Sequence, residues 1–234
     1  MEIVDQLKLS RASAVLQQEI RKHGQIPSMG QDFYHFKRLI DELPDRDISD
    51  QFNLDHETLK PTEAFWVICR GHNGGLIAAV AAKLEDLGPM NAADYWKMHL
   101  PRVYRENARR PIEFEPAQSR AAANLKGRLV YVGDAYASPE LRKSGLAPAM
   151  GKLAQLAAFG MWNFDTCYAF IHNAGMVRGV GTNHGFCHQH EIAIRWKTNP
   201  PQFLPDNWLV YNHRNDVLDL IDRLSGSDRW EGRE

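Results

Sequence analysis

Apolar residues recur along this chain with two periods, and the switches between them outline its elements. Phe33, Phe36, Ile40 and Leu43 keep helical spacing, so Gln31–Leu43 reads as an amphipathic helix that Pro44 stops. Ala64–Arg70 and Gly75–Lys83 are apolar runs of strand length. The Gly71-His72-Asn73-Gly74-Gly75 segment between them predicts a hairpin, because Asn-Gly accepts positive φ. Leu129–Tyr136 reads as a strand, Ala147–Trp162 as the helix after it, and Cys167–Ile171 as a compact buried strand. Further on, Ala174–His184 predicts a glycine-rich helix, Phe186–Trp196 alternates as a strand, and Trp208–Asn212 follows as another. Asp216–Leu224 is a helix, and Ser225 opens a polar tail.

Two stretches read less simply. The opening residues suit either a strand over Ile3–Leu9 with Ser10 capping a helix over 11–23, or one helix over 4–23. Within 86–127, Asn91–Arg105 looks helical and Ser119–Asn124 forms a short helix, with prolines at 111 and 116 interrupting the pattern, so the region reads as an insertion. The layout implies an α/β fold with a mixed sheet in a single domain over 1–234. Its core spans 64–212, and a C-terminal helix and tail occupy 213–234.

Composition narrows the class. The 234 residues are 44% hydrophobic and 24% charged, with net charge −1, which gives no general attraction to nucleic acid or anionic membrane. No stretch approaches the length of apolar run that crosses a bilayer. Cys69, Cys167 and Cys187 are odd in number and set in apolar runs, so reduced thiols in a cytoplasmic protein are expected rather than a disulfide framework.

The most informative segment runs from Val130 to Ala147: an alternating strand, a turn, and a glycine-bearing loop that opens a helix. A helix start exposes unpartnered N–H groups with partial positive charge and so cradles phosphate. Gly145 lets backbone approach such a ligand closely, Arg142 and Lys143 add cations at the mouth, and Pro148 suits the first helical turn.

With these residues in place, the chain resembles the GNAT acyltransferase superfamily. Its Gln/Arg-x-x-Gly-x-Gly/Ala loop is matched by Arg142-Lys143-Ser144-Gly145-Leu146-Ala147 at a strand-to-helix junction. A second signature, an Asn after the next strand with Gly-Phe a dozen residues later, is matched by Asn173 and Gly185-Phe186. The resemblance covers 128–196 well, the hairpin moderately, and residues 1–60 and 86–127 only in layout. It implies a mixed, mostly antiparallel twisted sheet with helices on both faces and an acetyl-CoA or other acyl-CoA cofactor. The motif would hold the pyrophosphate, and the Ala135-Tyr136-Ala137 backbone would orient pantetheine and thioester where the strand of 129–137 splays from that of 167–171. The implied activity is N-acylation of a small-molecule or peptide amine, with a homodimer as one use of the insertion. A silent acyl-CoA-binding module and a long-chain transferase with an amino acid-like acceptor are the alternatives. The phenol that many members place about four residues before Gly-Phe is absent, since Val180-Gly181-Thr182 stands there. Thr182, His184 or water are the substitutes at hand.

Amide formation needs a neutral amine, so a base must take an ammonium proton. Asp134, a charge in an apolar strand, is the first candidate, and alternation places it on the face of Val132 and Tyr136. His172, closing a buried strand beside Asn173, is the second. Glu113 and Glu115 read as surface charges. His184, Cys187, His188 and His190 are close in sequence, yet strand alternation separates Cys187 from His188 and His190, so no metal site is expected.

Overall fold

A computed structural model describes residues 3–44, 46–104 and 110–226. The first element, α1 (Ile3–Arg21), is a single helix, so the strand expected over Ile3–Leu9 does not form. Ala12, Leu16 and Ile20, four residues apart, are all buried, and that stripe fixes the helical period through the ambiguous segment. After the short strand β1 (Ser28–Gly30) comes α2 (Phe33–Asp41), which starts two residues later than predicted because the Asp32 carboxylate caps it, accepting from His35 N. The hairpin strands β2 (Ala64–Arg70) and β3 (Leu76–Asn91) follow, with Gly74 taking the positive φ of 85°.

β3 runs eight residues past Lys83, where the apolar run ends. Its far end stays in the sheet through Asp86 opposite Arg128 and Asn91 opposite Lys126, across an irregularity. The helix α3 (Ala92–Val103) is capped by Asn91, and the predicted end at Arg105 lies outside the described residues. Then come β4 (Glu113–Phe114), α4 (Arg120–Asn124) with Ser119 as cap, β5 (Lys126–Ala137) and α5 (Leu146–Met161). β6 (Thr166–His172) leads into α6 (Asn173–Val177) and α7 (Val180–Asn183). These last two replace the one helix expected over Ala174–His184, because Gly179, at φ 74°, breaks the run.

The strand expected over Phe186–Trp196 is also corrected. β7 (His188–His190) and β8 (Trp196–Thr198) are separate, since Ile192 turns the chain at φ 53° between them. β9 (Asn207–His213) and α8 (Arg214–Ser225) complete the described chain, and the tail beyond 226 lies outside it.

Seven strands form one sheet in the order β1-β2-β3-β5-β6-β9-β7, and β4 and β8 pair separately. Every pairing in the large sheet is antiparallel except β5 with β6. The fold is therefore the expected mixed, mostly antiparallel α/β arrangement, with helices on both faces. One apolar core joins Leu16, Val130, Leu153 and Leu220 beneath α1, α5 and α8. The other joins Phe36, Trp96, Tyr131 and Tyr168 beneath α2 and α3. Trp96 is fully buried and donates to Tyr168 Oη at 3.1 Å, so the 86–127 segment supplies a wall of this second core.

Candidate functional site

The pairing of β5 with β6 is short. It joins Leu129 to Thr166, Val130 to Cys167 and Tyr131 to Tyr168, and there it ends, although β5 runs on to Ala137 and β6 to His172. The cause lies in β5. Gly133 and Tyr136 pair with Ala81 and Ala79, so two residues, Asp134 and Ala135, oppose Val80 alone. This bulge puts Asp134 at φ 49°, an uncommon conformation for a side-chain-bearing residue, and bends the strand away from β6. A cavity of about 330 Å³ opens in the gap, lined by residues 132–135 of β5, Ala169–His172 of β6, and Arg46, Arg178 and His184.

The bulge also changes the face of Asp134. Alternation grouped it with both Val132 and Tyr136, but Val132 packs in the α5-side core whereas Asp134 points to the opposite side with Tyr136. The extra residue shifts the parity. On that side the carboxylate accepts from Ser49 N at 3.2 Å to each oxygen and from Ser49 Oγ at 3.1 Å. Arg46 Nη2 stands 3.8 Å from it and donates to Ala135 O at 3.3 Å, with the guanidinium over the Tyr136 ring. Burial pushes the Asp134 carboxyl up to about 6, against the opposing pull of Arg46 and the Ser49 hydrogen bonds. A carboxylate so placed changes protonation near neutrality and borders the cavity.

A larger groove of about 960 Å³ lies against the first turn of α5. Arg142, Lys143, Gly145, Ala147, Pro148, Lys152 and Arg178 contribute to its lining, and among the described residues no carboxylate does. Gly145 caps the helix at φ 90°, and the Gly145 and Ala147 N–H groups have no hydrogen-bond partner among the described residues. Ser144 and Leu146 do not line it: the Ser144 hydroxyl accepts from Leu146 N, and the Leu146 side chain is buried in the core. Ala137 borders the groove, and Ala135 the smaller cavity.

Arg178, Val180 and His184 line both spaces, so the two meet there. His184 is a residue that sequence reasoning could not single out. Its imidazole sits in a notch on α5 that exists because residue 151 is glycine, where a Cβ would overlap the ring. Its carbonyl is held by Gln155 Nε2 at 2.7 Å, and burial, with Lys152 nearby, pushes the ring down to about 4. It is a neutral imidazole at physiological pH. Thr182 lines only the groove and receives a hydrogen bond from Gln189.

The other sequence candidates are placed differently. His172 borders the smaller cavity at the entry to α6, whereas Asn173 lines neither space and accepts from Trp208 Nε1 at 3.2 Å. Glu113 pairs with Lys197 at the surface. His188 bonds Asp216 at 3.0 Å, and both His188 and His190 stack on Tyr211. Among the described residues no three His, Cys, Asp or Glu side chains are grouped to hold a metal ion. No described helix is long and apolar enough to cross a membrane.

No protein-family profile and no curated protein matches this sequence. Among solved structures, Arabidopsis thaliana NAA60 in complex with acetyl-CoA is 16% identical over 80% of this chain and 99% of that one, with a TM-score of 0.43. A GNAT superfamily phosphinothricin acetyltransferase from Sinorhizobium meliloti in complex with AcCoA is 12% identical over 81% and 89%, with a TM-score of 0.43. Chaetomium thermophilum Naa20 in complex with a bisubstrate analogue is 14% identical over 72% and 71%, with a TM-score of 0.40.

Proposed function

We propose that this protein is an acyl-CoA-dependent N-acyltransferase that moves a short acyl group, acetyl first, from the thioester directly to an amine. One observation carries the reading: a groove rimmed by cations, with no carboxylate among the described residues that line it, opens at the start of α5 and runs into the gap where β5 leaves β6. Phosphates suit the first space, because Arg142, Lys143, Lys152 and Arg178 supply charge and the N–H groups of Gly145 and Ala147 supply hydrogen bonds. The edge of β5 beyond Tyr131 has no strand partner on the β6 side, so its backbone can bond an extended pantetheine arm and polarise the thioester carbonyl. A cavity of about 330 Å³ is at the small end of ligand sites and favours a short acyl group.

In this scheme Asp134 takes a proton from the acceptor ammonium, directly or through water. The freed amine nitrogen attacks the thioester carbon; the C–N bond forms, the C–S bond breaks with its electron pair leaving on sulfur, and the nitrogen, cationic once bonded, gives its second proton through water to that sulfur. Coenzyme A departs as a thiolate of pKa about 8.5 and is protonated by that water. Neutral His184, where groove and cavity meet, donates an N–H to that sulfur in place of a phenol. His172 is kept as an acceptor contact.

Acetyl-CoA titrated by calorimetry, with thiol release followed against an amine panel, tests the proposal. Gly145→Glu is expected to abolish binding in a folded protein, because it puts an anion at the phosphate cradle. Gly145→Ala, where an added methyl meets no atom within 4 Å, carries only the backbone strain and is expected to bind weakly but measurably. Normal acetyl-CoA binding by Gly145→Glu sinks the cofactor assignment.

A further inference from the structure

The ionic lining of the smaller cavity is lopsided. Asp134 is its one carboxylate among the described residues, and Arg46 and Arg178 both reach it. Arg178 also lines the groove at α5, so its charge is shared with the phosphates placed there. Arg46 lines only the smaller cavity, and it is not used up by the protein. Its Nη2 makes one long hydrogen bond to Ala135 O and stands beyond hydrogen-bond reach of Asp134, while its Nε is buried with no hydrogen-bond partner among the described residues. A buried guanidinium N–H left unbonded costs free energy that a bound acceptor oxygen would recover.

Resting on the reading of this site as an N-acyltransferase, we propose that the acceptor is a free α-amino acid, whose carboxylate Arg46 binds while Asp134 receives the proton of its α-ammonium. The two protein groups are 3.8 Å apart, so one small molecule that carries its amine and its carboxylate on the same carbon engages both at once. The planar guanidinium matches a carboxylate through two parallel N–H donors, which is the geometry a surplus Nε allows. A polyamine or other purely cationic acceptor would set its charges against Arg46 and Arg178 with one carboxylate to offset them. A peptide N-terminus carries no carboxylate beside its amine. Acceptor recognition and acceptor deprotonation thus fall to neighbouring groups at the β5 bulge.

The test uses the full chain with acetyl-CoA and matched acceptors: amino acids, their carboxamides, the corresponding decarboxylated amines, and spermidine. The amino acids are expected to exceed their carboxamides in kcat/KM by about 100-fold. Arg46→Gln is expected to remove that preference, chiefly by raising KM for the acid form, with acetyl-CoA binding by calorimetry unchanged. A role limited to tethering the 46–56 loop would lower kcat/KM for acid and amide alike and leave the preference intact, which overturns the proposal. Acetyl-CoA binding accompanied by turnover of amides and amines as good as that of acids, or by no turnover of any panel member, also overturns it and leaves the cofactor assignment standing. Failure of the wild-type chain to bind acetyl-CoA overturns both.

Discussion

At the scale of single residues, Asp134 concentrates the conflict between stability and chemistry. Its side chain is 4% exposed, and burial outweighs Arg46 and Ser49 in setting its titration. Because the folded value, about 6, lies above the ordinary 3.8, the carboxyl is favoured protonated in the fold. Its contribution to stability is therefore complete below the unfolded value and is lost as pH rises through about 6. Asp134→Asn keeps an acceptor for Ser49 without the charge, so it is expected to stabilise the protein by roughly 1–3 kcal/mol at pH 8. The same change is expected to lower kcat by 10²–10⁴, roughly the worth of a general base. In the native protein kcat/KM should fall as pH drops through about 6, and in Asp134→Asn that acid limb should vanish. Denaturant unfolding and a pH–rate profile read the two effects. An unchanged acid limb in the variant would remove Asp134 from the proton path.

At the scale of elements, α5 does two jobs that depend on glycine for different reasons. Gly145 takes a left-handed φ that starts the helix, and Gly151 leaves the notch that seats His184. In an ordinary helix Gly→Ala gains about 1 kcal/mol. Gly151→Ala is expected to reverse that sign, since its methyl would displace the His184 ring. With the ring moved away from the meeting point of groove and cavity, kcat should drop on the order of tenfold or more, while the acetyl-CoA affinity changes little. Thermal unfolding and thiol-release kinetics check both parts; a variant that is more stable and fully active would show that His184 needs no such seat.

At the scale of the whole molecule, a buried ion network ties the 50–58 loop, β3 and α3 together on the side of the sheet that holds Asp134. Lys83 Nζ contacts Gln51 at 2.8 Å, Glu57 at 3.2 Å, Glu85 at 3.3 Å and His99 at 3.3 Å. Tyr168 donates to Glu85 at 2.6 Å and Arg102 pairs with Glu57 at 2.9 Å. Lys83→Met would leave two buried carboxylates without their shared cation, at a cost of about 3–5 kcal/mol. Burial pushes the Glu57 carboxyl up, but His99, Lys83 and Arg102 together hold it well below the ordinary 4.5. A depressed carboxyl stabilises the fold above its unfolded value and loses that contribution as pH falls. The native protein should thus weaken progressively below about pH 4.5, and Lys83→Met should show a shallower decline. Urea midpoints across pH measure both.

The sequence by itself determined the elements whose signals are local. The Asn73-Gly74 hairpin, the buried runs of β2, β5 and β6, and the Arg142–Ala147 loop opening α5 all depend on neighbours in the chain, so period and turn chemistry disclose them. The α1 ambiguity and the break at Gly179 were not legible, because burial on a partner helix and a single left-handed residue decided them. Only the tertiary structure decided the site. The bulge that turns Asp134 away from Val132 arises where β5 meets β3 out of step, and the alternation of β5 alone predicts the opposite face. Arg46 and Ser49 reach β5 from 85–89 residues away, and His184 finds its seat on a helix 33 residues earlier. Such contacts follow from register and packing between distant segments, which no periodicity within one segment encodes.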